Sequence, residues 1–340
     1  MGTEAYWLTG YLNIPKCLQL ALYDGYDVMF KKQIGPHTGK AEDFKSYDEL
    51  WNAFKTQLEY IIDVKMRGNL VIERIYAEMM PAPFLSICTD DCIKKGKDYN
   101  AGGARYNTSY IQGVGIGTIS DALSAIKFNV FDNQKFTMKE LIDAMNDDFK
   151  GHEDILNLVK NKTPKYGNED YITGRPTTRG GVYHVDMLPT TCHVYFGDVM
   201  IASPNGRLAH IPLSEGISPE KGADINGPTA VVKSCSKMNH CETGGTLLNQ
   251  KFTPAAIAGE KGIDNLAALI RSYFAMNGHH MQFNVIDRQT LIEAQKNPEE
   301  YKELIVRVAG YSDYFRNLDK PLQNEIIERT EQSFGGCGCC

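Results

Sequence analysis

The feature that most constrains the fold is an alternation of short apolar runs with longer stretches of helical spacing. The runs have the length and composition of buried strands. They cover residues 182–187, 192–196, 230–234, 281–286 and 304–308. Strands that alternate with helices predict an α/β fold with a partly parallel sheet.

Two of the predicted helices have clear boundary signals. Asp48–Lys65 places its apolar residues on one face, and we expect Gly68 to close this helix. Thr137 and Glu140 are spaced as a capping box, in which each side chain satisfies a free backbone amide. A helix is therefore predicted to begin at Thr137.

Two further helices are predicted nearer the C-terminus. The first covers residues 253–276 and is interrupted near Gly259. The second covers residues 319–331, where Asp319 can cap the helix and Pro321 suits its first turn.

Composition excludes several classes of partner. The chain has 340 residues, of which 42% are hydrophobic and 23% charged, enough to bury a sizeable core. A net charge of -6 argues against a nucleic-acid partner. No run approaches the roughly 18 apolar residues of a membrane span. Nine cysteines without a secretory signal indicate thiols in a reducing, cytoplasmic compartment.

Cysteine spacing predicts no metal site. Cys88 and Cys92 have three residues between them, and Cys235 and Cys241 have five. Neither spacing matches the common paired zinc frameworks, so we expect buried thiols. The tail over residues 335–340 holds three more cysteines and could bind metal or act in redox chemistry, but we expect no catalytic role.

A glycine-rich segment, Gly113–Gly117, has the appearance of a phosphate-binding loop. It lacks the third glycine of a dinucleotide fingerprint and the lysine of a Walker loop. Tight backbone packing is therefore the predicted role of these glycines.

Gly310 lies in the segment Arg307-Val308-Ala309-Gly310-Tyr311-Ser312. By composition this is a strand that ends in a turn glycine. A radical on an α-carbon, in contrast, requires glycine, because the carbon must become planar and must be open to hydrogen abstraction. Such a radical also has to be shielded from dioxygen, and the apolar run Leu304-Ile305-Val306 predicts a buried approach.

The chain resembles the glycyl radical enzymes related to pyruvate formate-lyase, from Glu4 to Phe334. Several blocks carry the resemblance in the family's order: residues 97–107, 203–207, 212–219, 226–230, 245–252, 282–285 and 307–312. The resemblance implies the C-terminal part of a ten-stranded α/β barrel with surrounding helices. The implied domains are residues 1–285 for the barrel part, 286–334 for the glycyl radical domain, and the tail 335–340.

The same resemblance implies the chemistry. Gly310 would store a protein-based radical, with no other bound cofactor, and a cysteine oxidised to a thiyl radical would abstract hydrogen from substrate. The implied partner is a radical S-adenosylmethionine activating enzyme that uses an iron-sulfur cluster. The complete enzyme is expected to be a homodimer in an anaerobic cytoplasm.

The segment 307–312 and the opening Glu4–Tyr11 resemble the eliminase subgroup. That resemblance implies removal of water from a hydroxylated small molecule such as trans-4-hydroxy-L-proline, with Tyr11, Thr190 and Thr191 lining the pocket. Equally, the two threonine hydroxyls could bond only to backbone. A glycerol or diol dehydratase, or an enzyme like formate acetyltransferase, remains an alternative.

The sequence contains no Gly-Cys-x-Glu, the loop that carries the family's catalytic cysteine. We therefore expect that cysteine in a missing N-terminal half of the barrel. A second departure follows Asn168, where a polar stretch, Glu169–Thr178, replaces the helix usual in relatives. Two alternatives remain. The chain could be a non-catalytic spare part that donates a radical domain to a damaged enzyme, or it could be an inactive fragment.

Overall fold

In a computed structural model, the structure describes residues 2–165, 183–188 and 190–334. The polar stretch Glu169–Thr178 and the cysteine tail lie outside these residues. The strands are β1 (Glu4–Asn13), β2 (Tyr26–Asp27), β3 (Lys32–Gln33), β4 (Tyr106–Val114), β5 (Tyr183–Met187), β6 (Gly245–Thr246), β7 (Leu248–Phe252), β8 (Met281–Val285), β9 (Ile305–Arg307), β10 (Ser312–Tyr314) and β11 (Glu331–Gln332).

Helices cover much of the remaining described chain. They are α1 (Ile14–Leu22), α2 (Tyr47–Met79), α3 (Pro83–Cys88), α4 (Cys92–Lys95), α5 (Ile116–Ile126), α6 (Met138–Asn146), α7 (Glu153–Asn161), α8 (Cys192–Asp198), α9 (Pro228–Cys235), α10 (Gly259–Ala275), α11 (Arg288–Lys296) and α12 (Lys320–Glu328). Within the described ranges, no helix is long and apolar enough to cross a membrane.

Two parallel sheets organise the fold. One has the strand order β1-β4-β5-β6, and the other has the order β11-β7-β8. Strands β9 and β10 form a separate antiparallel hairpin. The α/β prediction with a partly parallel sheet is confirmed.

The helices with explicit caps follow the prediction. Thr137 and Glu140 form the complete capping box at the start of α6. Asp319 accepts the Leu322 amide at the start of α12, with Pro321 in the first turn. Helix α12 ends at Glu328, earlier than the predicted residue 331. A side chain that satisfies a backbone amide therefore marked these helix starts correctly.

Three local predictions are wrong. The apolar runs 192–196 and 230–234 are helices, α8 and α9, rather than strands. Short apolar runs lack the length that separates the two periodicities, and a proline at the start of α9 favours helix. Gly68 does not end α2, because it lies on an exposed face where an interior glycine costs only about 1 kcal/mol.

Buried apolar residues form two main cores. The large core includes residues from Leu12 to Tyr273 and packs α1, α2, α5, α6 and α10 against the parallel strands. The small core lies around the β9–β10 hairpin. Its members are Ile286, Leu291, Ala294, Val306, Val308, Phe315, Leu318, Leu322, Ile326 and Ile327.

Candidate functional site

Gly310 lies in the turn of the β9–β10 hairpin. The Val308 amide donates to the Tyr311 carbonyl at 2.9 Å and closes the turn. Gly310 has φ +78°, in the left-handed region that favours glycine. A Cβ atom at this position would lie 3.3 Å from Cδ2 of Leu188. The backbone conformation therefore favours glycine here, and a side chain would also require Leu188 to shift slightly.

The expectation that Gly310 is buried concerns the complete barrel, of which this chain spans less than half, and it stays a prediction. Val308 and Ala309 are fully buried, but Gly310 is exposed. Ile305 is 56% exposed, so the approach strand is buried on one face only. The physical reason is that the hairpin packs on the small core with its inner face while its turn extends beyond that core.

Side chains hold the inner face of the turn through its carbonyl groups. Asn284 donates to the Arg307 carbonyl at 2.7 Å and accepts the Arg307 amide at 2.8 Å. Asn249 donates to the Val308 carbonyl at 3.2 Å. Arg329 donates to both carbonyls, at 3.4 Å and 3.1 Å. The two residues preceding Ala309 are thus fixed from β7, β8 and the end of α12.

Two buried carboxyl groups surround these donors, and their pKa values shift in opposite directions. Burial raises the pKa of Glu215 to about 7, although the Arg329 charge opposes the shift. Burial also acts to raise the pKa of Glu325, but Arg329 and His193 outweigh it and hold that pKa well below its usual range. We call Glu215, Asn249, Gln282, Asn284, Glu325 and Arg329 the polar cradle.

The predicted pocket residues lie on the neighbouring sheet. The hydroxyls of Tyr11, on β1, and Thr190, just after β5, are 3.4 Å apart. Thr190 has φ +53°, an unusual conformation for a β-branched residue. Leu188, the residue closest to a Cβ at Gly310, is two residues before Thr190, which spans at most about 7 Å. The structure therefore brings Tyr11, Thr190 and Gly310 into one region.

Thr191 is the residue before α8, and its side chain does not cap that helix. Its hydroxyl bonds to the side chain of Tyr195. The hydroxyl oxygen of Tyr195 lies 3.0 Å from the sulfur of Cys192. Burial raises the pKa of Cys192, so this thiol stays protonated near neutral pH. The threonine hydroxyls thus contact side chains and not only backbone.

Sequence reasoning missed two groups beside the pocket. Asp186 is buried on β5 and accepts a hydrogen bond from the Tyr6 hydroxyl at 2.7 Å. Burial raises the pKa of Asp186. A carboxylate within an apolar strand run was the available signal. Cys192 was missed because its segment was predicted to be a strand.

The alternative motifs have structural roles. A Cβ at Gly115 or Gly117 would lie 2.7 Å from its nearest neighbour, which confirms tight packing. Among the described residues, no group of three or more potential metal ligands occurs, and the cysteines form no disulfide bond. The nitrogens of His240, beside Cys241, are already bonded to Thr246 and to the Cys235 carbonyl.

Comparison with known proteins gives one consistent result. Residues 1–197 match the family described as pyruvate formate lyase-like, and residues 213–316 match the glycine radical family. The chain is 63% identical to trans-4-hydroxy-L-proline dehydratase of Clostridioides difficile, over 98% of this chain and 44% of that protein. It is 37% identical to (2S)-3-sulfopropanediol dehydratase of Klebsiella oxytoca, over 98% of this chain and 43% of the relative.

Solved structures agree with the fold. The crystal structure of the Clostridioides difficile hydroxyproline dehydratase matches with a TM-score of 0.95, over 98% of this chain and 44% of that one. Glycerol dehydratase from Clostridium butyricum matches with a TM-score of 0.93 and 43% identity, over the same shares. The chain spans less than half the length of these relatives. Its matches nevertheless cover nearly all of its residues, and the chain belongs to the pyruvate formate lyase-like family of glycyl radical enzymes.

Proposed function

We propose that this chain is the C-terminal part of a glycyl radical dehydratase and that Gly310 carries the stored radical. The observation that carries the proposal is the geometry of Gly310. It is a glycine with φ +78° in a turn whose inner carbonyls are held by the polar cradle, within the matched glycine radical region.

Gly310 can lose a hydrogen atom without a steric penalty. Removal of one proton and one electron from its α-carbon leaves a planar radical, delocalised over the flanking amide nitrogen and carbonyl. A side chain would resist that planarity and meet Leu188. The partner is a radical S-adenosylmethionine activating enzyme with an iron-sulfur cluster, which supplies the abstracting group.

The stored radical acts through a cysteine outside these residues. Transfer of a hydrogen atom from a thiol to the Gly310 α-carbon restores glycine and leaves a thiyl radical, which then abstracts hydrogen from substrate. Since no Gly-Cys-x-Glu occurs in the sequence, we place that cysteine in the portion that the relatives have and this chain lacks. The described cysteines are not joined in disulfide bonds, which supports a cytoplasmic setting.

A further part of the barrel would cover the open surface of this chain. Strand β1 pairs with β4 on one side and is an edge strand, and its residues Tyr6 and Leu8 are about two-fifths exposed. Residues 1–285 are then the C-terminal part of the barrel, and residues 286–334, which hold the small core, are the glycyl radical domain. We also predict that the complete protein is a homodimer, and light scattering should then give twice the mass of one chain.

The proposed substrate is trans-4-hydroxy-L-proline, from which the complete enzyme eliminates water. The basis is the 63% identity to the dehydratase of that name, against 43% to the glycerol dehydratase. Tyr11, Thr190 and Thr191 line the proposed pocket with hydroxyl groups. Hydroxyls arranged in this way can orient a polar ring substrate and hold a leaving hydroxyl group.

Electron paramagnetic resonance tests the radical assignment. The protein that carries this chain is incubated without oxygen with the activating enzyme and S-adenosylmethionine. We expect a doublet, because one α-hydrogen remains on Gly310. The doublet should collapse to a single line after labelling with α-deuterated glycine and should vanish in Gly310→Ala. A doublet that persists in Gly310→Ala would refute the assignment.

Exposure to air and a substrate panel complete the test. Reaction of the radical with dioxygen should cleave the chain at Gly310, and mass spectrometry should detect loss of residues 311–340. The activated complete enzyme should consume trans-4-hydroxy-L-proline faster than glycerol or 1,2-propanediol. The reverse order would favour a diol dehydratase. A doublet without turnover of any substrate would favour a non-catalytic spare part that only carries the radical. The absence of a doublet would favour an inactive fragment.

A further inference from the structure

The carbonyls of Arg307 and Val308 are held in an unusual way. Each accepts a hydrogen bond from an asparagine of the parallel sheet and a second from the guanidinium of Arg329. The asparagines hold the two carbonyls one at a time, whereas Arg329 bridges them. A planar guanidinium with several fixed donors suits this bridging task, and an ammonium group does not.

Arg329 is itself fixed by Glu325. Its Nε lies 3.2 Å from both carboxylate oxygens of Glu325, and its Nη2 lies 2.8 Å from Oε2. The two residues are one turn apart at the end of α12, and both side chains are almost completely buried. Bidentate pairing of this kind fixes the plane of the guanidinium as well as its position.

The position of Glu325 allows the hairpin to leave Arg329 and return to it. If the hairpin left its place, Arg329 would lose two carbonyl acceptors, yet it would keep its bond to Glu325 on the same helix. The charge of Arg329 would therefore stay paired in either position of the hairpin. An unpaired buried charge costs several kcal/mol, so this pairing removes the main penalty for releasing the loop.

We propose that Arg329 is the positioning residue of the radical loop, and that its contacts with the Arg307 and Val308 carbonyls set how tightly Gly310 is held. The proposal rests on the proposed function, because it assigns Arg329 to the reaction that Gly310 carries. The hydrogen bonds of Arg329 to the hairpin reach the carbonyls of Arg307 and Val308, so it acts through the backbone that precedes Gly310.

Amide hydrogen exchange of the complete, non-activated protein tests the proposal directly. The readout is the peptide that covers residues 307–312. In Arg329→Lys the charge beside Glu325 remains but the bridge is lost. We expect exchange in this peptide to accelerate about tenfold, the effect of one lost net hydrogen bond, with little change elsewhere.

A matched control is Arg207→Lys. Arg207 is also buried and also donates to backbone carbonyls, those of Ile201, Leu208 and Ile211, in a different loop. This variant should leave exchange at 307–312 unchanged. Equal acceleration in both variants would mean general loosening and would overturn the proposal. If Arg329→Lys does not fold, Glu325→Gln takes its place, since it removes the group that orients Arg329.

Radical formation supplies a second readout that a purely structural role would not change. In the activated protein, the looser loop of Arg329→Lys should alter the doublet splitting. That splitting is proportional to the unpaired spin density on the α-carbon of Gly310, and the spin density depends on how coplanar the two flanking peptide groups are. Exchange and splitting that both equal wild type would reject the role of Arg329. A wild-type protein without a doublet would reject the proposed function, and the exchange comparison would still decide whether Arg329 holds the loop.

Discussion

The two apolar cores differ in how their residues are distributed along the chain. The large core draws on residues from Leu12 to Tyr273, so its contacts join segments that are far apart in sequence. The buried residues of the small core lie between Ile286 and Ile327, and partly buried Val194 of α8 packs against them. A core built from one continuous segment can loosen without opening the other. The difference predicts that residues 286–327 can unfold locally while the large core stays folded.

The cores meet through polar contacts. Val308 belongs to the small core through its side chain, while its carbonyl is bonded to Asn249 of β7 and to Arg329. Directional hydrogen bonds define one docked position, whereas apolar contact alone would tolerate sliding. Asn249 and Asn284, the members of the polar cradle that bond to the hairpin from β7 and β8, therefore set the register between the two regions.

The largest expected effect comes from Phe315→Ala in the small core. Phe315 is almost fully buried, and its truncation should cost about 4 kcal/mol of local stability. Limited proteolysis should then cut residues 286–334 first and leave the large core intact. Leu141→Ala, in the large core, is the control and should expose sites across the protein. Identical cleavage patterns would contradict the independence of the two cores.

The next effect concerns Glu215 and pH. Its pKa is raised to about 7 from an ordinary 4.5, so the folded protein favours the protonated form. The stabilisation is complete below pH 4.5 and is lost as pH rises through 7. In the wild-type protein this loss amounts to about 3 kcal/mol of unfolding free energy. Glu215→Gln stays neutral at every pH and should not show it.

Denaturant unfolding of both proteins at several pH values measures this difference. Arg329 and Glu325 face Glu215 in both proteins, so their contributions cancel in the comparison. Parallel stability curves from pH 5 to 8 would show that Glu215 does not titrate as described.

Asn249→Ala is expected to have a smaller effect, about 2 kcal/mol, because it removes one donor to the Val308 carbonyl and the acceptor for Gln282. This substitution breaks a contact between the regions and leaves both apolar cores complete. Differential scanning calorimetry should show a broader transition, or two, as docking weakens. A single sharp transition at the wild-type temperature would mean that apolar contact alone holds the regions together.

The smallest effect should come from Gly310→Ala. A side chain at φ +78° costs about 1 kcal/mol, and the contact with Leu188 is close but not prohibitive. Thermal unfolding should therefore change little, although the radical signal is lost. A collapse in stability would mean that the loop has less room than its exposure indicates.

Sequence reasoning predicted the fold best where one residue acts on its near neighbours. The Thr137 cap and the strand that leads to Val308 are local features, and they were predicted correctly. Segments 192–196 and 230–234 were predicted wrongly because their type depends on packing against distant elements. The position of Gly310 followed from its motif. The roles of Asn249 and Arg329 did not, since each acts on a carbonyl far away in sequence, a contact that no local pattern encodes.

The late position of strand β11 in the chain determines when its sheet can be completed during biosynthesis. Glu331 of β11 pairs with Lys251 of β7. The sheet of β7 and β8 therefore stays incomplete until the ribosome has synthesised β11. Until then, one edge of β7 has unpaired backbone groups, a target for chaperones or for misassociation. Arg329 precedes β11 by only a few residues and follows Gly310. On the ribosome, the glycine therefore appears before the residue that holds its loop, and the loop acquires its native contacts only after α12 has been synthesised.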